Sequence, residues 1–205
     1  MLLSRGFGFL VLFNGRLDNE IRAVADPAAL GRVDADEAAN SALKEGFPAN
    51  TIIFLDVEEG GRMLPEQTAY IYAWVDGIKR RGFRSGVYCS GIPAKEDAGH
   101  TVITAEDLKQ NAAGRDIAFW VANDVCPPSP GCSVLHHPPP ASMSRIPFAS
   151  VWQYAQSPRR PQLTRTCAVT YAPDGNCYAP GEKLNRLFLD LNSASEPDPS
   201  HGGTR

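Results

Sequence analysis

An α/β protein built on a parallel sheet is the fold class this sequence predicts, and three observations predict it. Apolar runs alternate with helix-patterned segments from Leu10 to Ala122, the order in which a parallel sheet is wound. The first run, FGFLVLF, is apolar on both faces, as a strand covered on both sides must be. Beyond a proline-rich stretch at 127–140 the pattern becomes strand-rich and helix-poor.

Each element follows from local signals. Leu10 to Phe13 reads as a strand, although MLLSRGFGFLVLFNGR imitates a signal peptide. The apolar run is short, holds two glycines and lacks a small-x-small cleavage site, so a buried strand explains it better. Asp34 to Glu45 reads as a helix opened by acids and closed near Gly46, and Thr51 to Glu58 as the second strand. Pro65 to Arg81 is a strongly amphipathic helix with Pro at its start, basic residues in its last turn and Gly82 beyond. Ser85 to Ser90 is a third strand, and Thr104 to Ala113 a helix with Thr104 as N-cap and Asp107 at the capping-box position. Asp116 to Ala122, Ser150 to Ala155 and Leu187 to Asn192 complete six strands. The tail, residues 194–205, is rich in Ser, Pro, Gly and Asp and reads as disordered.

Composition excludes some partners. The 205 residues carry a net charge of −3, so no basic surplus exists to neutralise nucleic-acid phosphates. No stretch approaches the roughly 20 consecutive apolar residues of a membrane span. Five cysteines are present. Cys126 and Cys132 bracket CPPSPGC, and Cys167 and Cys177 bracket CAVTYAPDGNC; both intervals are turn-rich, so each pair is expected to close a local disulfide. Cys89 lies in an apolar run and reads as a buried free thiol. Disulfides so paired would imply an extracytoplasmic or secreted setting, which is the expectation. Cys132 with His136 and His137 lacks a zinc spacing, and no metal is expected.

The chemistry concentrates at strand ends. In IIFLDVEEG, side chains two apart share a face, so Ile52, Phe54, Asp56 and Glu58 point one way. In α/β folds the C-terminal ends of parallel strands are where sites are built. Asp56 and Glu58 would lie about 6–7 Å apart at Cα, close enough to take unequal pKa values. That is the equipment for cleaving a glycosidic bond. The acids of a solvated strand-to-helix loop would have the same spacing, and spacing alone leaves both readings open. Further groups occupy other strand ends: Asp190 and Asn192 in LFLDLN, Tyr88 in GVYCS, Trp120 in FWVAND, and Trp152 with Tyr154 in SVWQYA. Aromatic rings at a barrel mouth suit the C–H faces of sugars.

TIIFLDVEEG, AYIYAWVDGIKRRGFRSGVYCSG, IAFWVAND, VWQYAQ and LFLDLN occur in the order seen in family-25 glycoside hydrolases, the lysozyme-type muramidases. The sequence resembles more closely a glycoside-hydrolase-like domain first catalogued as a domain of unknown function. The resemblance spans residues 5–193. It implies a TIM-like (β/α) barrel, Glu58 as proton donor, Asp56 and Asp190 as its electrostatic partners, and a peptidoglycan-like polysaccharide as substrate, with no cofactor. Tyr88, Trp120, Trp152, Tyr154 and Asn192 would line the sugar. FGFLVLF corresponds to about the third strand of such a barrel, so the first two strands and an active-site aspartate have no counterpart. A longer reading frame, with Met1 internal to it and a secretion signal upstream, is the matching expectation. Two alternatives use the same fold: a non-catalytic glycan-binding or cell-envelope scaffold, and an inactive fragment.

Overall fold

The computed structural model describes residues 3–123, 140–156 and 190–203. The four cysteines expected to pair, Cys126, Cys132, Cys167 and Cys177, lie outside the described residues, as does the stretch 187–189 expected to open the last strand.

Among the described residues, six strands form one curled sheet, a half-barrel. They are β1 (Val11–Phe13), β2 (Ile52–Asp56), β3 (Arg84–Ser90), β6 (Ile117–Ala122), β7 (Ala149–Gln156) and β8 (Asp190–Ala194), in that spatial order. A small antiparallel ribbon of β4 (Ala94–Lys95) and β5 (Thr101–Val102) follows β3. The helices are α1 (Asp18–Arg22), α2 (Pro27–Lys44), α3 (Pro65–Arg80) and α4 (Thr104–Gln110). None of the described helices is long and apolar enough to cross a membrane.

The sheet separates two apolar layers. Ile53, Leu55, Val87, Cys89, Phe119, Val121 and Trp152 face the helices and pack with Tyr70, Ile71 and Trp74. Ile52, Phe54, Trp120 and Val151 line the concave side with Leu10, Tyr88 and Ala118. The alternation is what strand geometry requires of a sheet covered on both faces. Gly31 lets α2 lie directly on α3, since a Cβ there would stand 2.3 Å from the carbonyl oxygen of Tyr70.

Four expectations are corrected. The helix expected from Asp34 begins at Pro27, where Asp26 accepts a hydrogen bond from the Ala29 amide and Pro27 supplies the preset first turn. Asp34 is instead fully buried, held by Arg16 and by the Tyr70 hydroxyl. Thr104 is the first helical residue and not the cap. Its hydroxyl exchanges hydrogen bonds with the Gly61 backbone, at 2.8 and 2.9 Å, and Asp107 pairs with Arg62. The sheet is not wholly parallel, because β8 runs antiparallel to β7.

The tail is the fourth. Residues expected to be disordered cross the N-terminal ends of the strands from β7 to β1. The Ser195 amide donates to Ser150, and further on Ser200 is fully buried. Ser200 accepts from the Val11 amide through its hydroxyl at 2.9 Å and from the Ile52 amide through its carbonyl at 2.7 Å. Asp198 accepts from the Phe9 and Gly203 amides, both at 2.8 Å. Short polar side chains here satisfy strand amides that would otherwise lack partners, which composition alone cannot reveal.

Candidate functional site

The concave face meets solvent at the C-terminal ends of the parallel strands, and Asp56 stands there as the last residue of β2. Its side chain is half-buried, and its Oδ1 is buried with no hydrogen-bond partner among the described residues. Burial, reinforced by Glu58 and Glu59, pushes this carboxyl up to about 6. The β2–β3 register continues one residue further, with the Val57 amide donating to the Tyr88 carbonyl at 2.9 Å.

The loop that follows is fixed at several points. Glu59 accepts from the Asp18 amide at 2.8 Å and so turns to the helix layer. Gly61 is held by Thr104, and the Arg62 guanidinium bridges Glu96 and Asp107. Asp107 also accepts from the Met63 amide. Glu58 is left exposed between these anchors, with no hydrogen bond or ion pair among the described residues. Its charge nevertheless acts on both Asp56 and the Tyr88 phenol.

Tyr88 lies directly opposite Asp56 in the β2–β3 register. Its ring meets Trp120 edge-on at 5.0 Å, and Trp120 in turn meets Phe54 at 5.8 Å. The Tyr88 hydroxyl donates to Oε1 of Gln153. Burial and the nearby Asp56, Glu58 and Asp190 raise the phenol far above its ordinary range. Trp120 Nε1 donates to Asn192 Oδ1 at 2.8 Å, and Asn192 sits opposite Gln153 across the β7–β8 ladder. Asp190 reaches the same rim by entering β8 there rather than leaving it, because β8 is antiparallel.

Asp56, Glu58, Tyr88, Trp120, Asp190 and Asn192 are therefore brought to one rim. Trp152 and Tyr154 are not. Both are buried on the helix side, where the Trp152 indole donates to the Asn123 carbonyl at 2.9 Å. The cause is a register slip. Phe119 pairs with Ala149 but Trp120 with Val151, so Ser150 is an extra residue. One extra residue reverses the facing of everything after it. The slip turns Gln153 inward instead, a site residue that the spacing did not single out; its only signal was its place between two aromatics. Cys89 is buried and free, as expected, and burial raises its thiol.

A cavity of about 760 Å³ lies away from Asp56 and Glu58, lined by α2, α3, α4 and the residues that follow α4. Its Arg62 and Arg115 already spend their donors on Glu96, Asp107, Asp76 and the Ala112 carbonyl. Among the described residues, no cluster of His, Cys, Asp and Glu is placed to hold a metal ion.

Comparison with known proteins agrees with this architecture. The family described as "Rv2525c-like, glycoside hydrolase-like domain" matches residues 1–125. A search of curated proteins finds no match. A solved structure, the 1.07 Å crystal structure of an uncharacterized B. stearothermophilus protein, is 23% identical, with a TM-score of 0.52 over 77% of this chain and 68% of that one. At that identity the likeness concerns the fold alone.

Proposed function

The chain belongs to the Rv2525c-like, glycoside hydrolase-like domain family, and from that premise we propose that its concave rim binds a cell-envelope glycan such as peptidoglycan and cleaves it by carboxylate acid/base chemistry. The observation that carries this reading is the Asp56–Glu58 pair. One carboxyl is half-buried with a raised proton affinity, the other is exposed, and both act on Tyr88, whose ring meets Trp120.

Glu58, the exposed member of the pair, delivers a proton to the leaving glycosidic oxygen as its bond to the anomeric carbon breaks. Asp56 and Asp190 offset the positive charge that develops there. Water then adds to the anomeric carbon and returns a proton to Glu58, which restores the starting state. Trp120 and Tyr88 offer ring edges and faces to the sugar, and Asn192 holds the Trp120 indole in place.

Release of soluble reducing ends from purified peptidoglycan tests the proposal. The full chain is expected to release them. Glu58→Gln is expected to abolish release while keeping the fold and the ability to bind. Glu59→Gln, which retains an oxygen for the Asp18 amide, is expected to stay active. Retention of peptidoglycan by the unaltered chain without any release would replace catalysis with the glycan-binding reading. Activity in Glu58→Gln with loss in Glu59→Gln would reverse the residue assignment.

A further inference from the structure

The loop from Val57 to Leu64 carries Glu58, and its anchors come from β3, α1 and α4. The Val57 amide donates to the Tyr88 carbonyl at 2.9 Å, and Glu59 accepts from the Asp18 amide at 2.8 Å. Beyond Gly60, the anchors are supplied by α4. Thr104 is fully buried, and its hydroxyl accepts from the Gly61 amide at 2.8 Å and donates to the Gly61 carbonyl at 2.9 Å. A hydroxyl has one proton and two lone pairs, so a single side chain satisfies both backbone groups of one residue. Gly61 has a φ of +100°, which favours glycine at this point of the loop. Asp107, only 5% exposed, accepts from the Met63 amide at 3.1 Å and from Arg62 at 3.0 Å. Arg62 also reaches both oxygens of Glu96.

We infer that Thr104 and Asp107 are positioning residues for Glu58: from α4 they fix its loop through Gly61, Arg62 and Met63, and so hold the Glu58 carboxyl at the rim. Glu58 has no tie of its own among the described residues, so its place follows from that of its neighbours. A proton donor on a free loop would spread over many positions, and a misplacement of about 1 Å already costs much of the rate. Anchors from a packed helix remove that freedom before any ligand arrives. Asp56 reports where Glu58 lies, because burial, then Glu58 and Glu59, raise its proton affinity. Arg16, which shares a small cavity with Asp56, is committed to Asp34 by hydrogen bonds of 2.7 and 2.8 Å.

The role assigned to Thr104 and Asp107 rests on the rim being the site, but it is read without any glycan, so it fails or succeeds independently of peptidoglycan cleavage. Carbon-detected NMR titration of the Asp56 carboxyl in the full chain provides the readout. Thr104→Val, which keeps the shape and removes the hydroxyl, is expected to lower the Asp56 midpoint by roughly half a pH unit. Thr104→Ser, which keeps the hydroxyl, is expected to leave it unchanged. In a Glu58→Gln background, Thr104→Val is expected to cause less than half of that fall, because the charge it would displace is gone. Arg62→Met cuts an exposed anchor of the same loop and is expected to lower the midpoint too; it decides the matter should Thr104→Val fail to fold. An unchanged or raised midpoint in the variant scored would overturn the inference. So would a fall in Thr104→Ser, or half or more of the fall persisting in the Glu58→Gln background, since a merely structural loss acts through burial and not through Glu58.

Discussion

Asp56 has a measurable thermodynamic signature at the scale of a single residue. Its carboxyl is ordinary in the unfolded chain, near 3.8, and is pushed up to about 6 in the folded one. The folded state therefore binds this proton more tightly than the unfolded state. The corresponding stability is fully present below about pH 4 and is lost as pH rises through about 6. Two pKa units in a sealed interior would correspond to about 3 kcal/mol, and solvent around a half-exposed carboxyl screens that to about 1–2 kcal/mol. Asp56→Asn is thus expected to stabilise the protein by about 1–2 kcal/mol at pH 7.5 and by nothing at pH 4. Urea unfolding at the two pH values checks this, and an equal effect at both would contradict it. The alternation placed Asp56 at a strand end, but the strand expected to run to Glu58 stops at Asp56, so Glu58 and Glu59 lie in a loop where strand parity does not apply, and Glu59 turns to the Asp18 amide. Gln153 was not legible, because its facing depends on an extra residue at Ser150 that leaves no mark in the hydrophobic pattern.

Elements with strong local signals were the legible ones. The apolar run before Asp56 and the proline-led α3 were readable because burial on both faces and first-turn chemistry are local properties. The direction of β8 was not, since five residues of alternating pattern read the same from either end. The tail was misread for a related reason. Its stability comes from amides of β1 and β2 far away in sequence, with the Val11–Ser200 bond spanning 189 residues. Removing the Ser200 hydroxyl leaves the Val11 amide without that partner, at a cost of about 1–3 kcal/mol. Ser200→Ala is therefore expected to lower the denaturant midpoint without changing the slope, and to speed hydrogen exchange at Val11. Unchanged exchange at Val11 would show that the tail does not hold β1.

Across the described residues, the two rims of the half-barrel differ. At the N-terminal ends of the strands, the tail links β7 to β1 and so connects the two sides of an open sheet. At the C-terminal ends, Asp56, Glu58, Tyr88, Trp120, Asp190 and Asn192 converge from β2, β3, β6 and β8. This division follows from winding parallel strands, which leaves loops at one end free to vary while the other is closed by packing. The resemblance in sequence order carried an α/β barrel without its first two strands, and six strands form the curled sheet among the described residues. The central claim is that a glycan lies on the concave face at that rim, and the three tryptophans allow it to be tested without regard to catalysis. Trp74 and Trp152 are fully buried on the helix side, whereas Trp120 lines the concave face. Titration of the full chain with soluble peptidoglycan fragments should change its tryptophan emission saturably, and Trp120→Phe should abolish that change while the fold is retained. The same saturable change in Trp120→Phe, or none in the unaltered chain, would contradict the account.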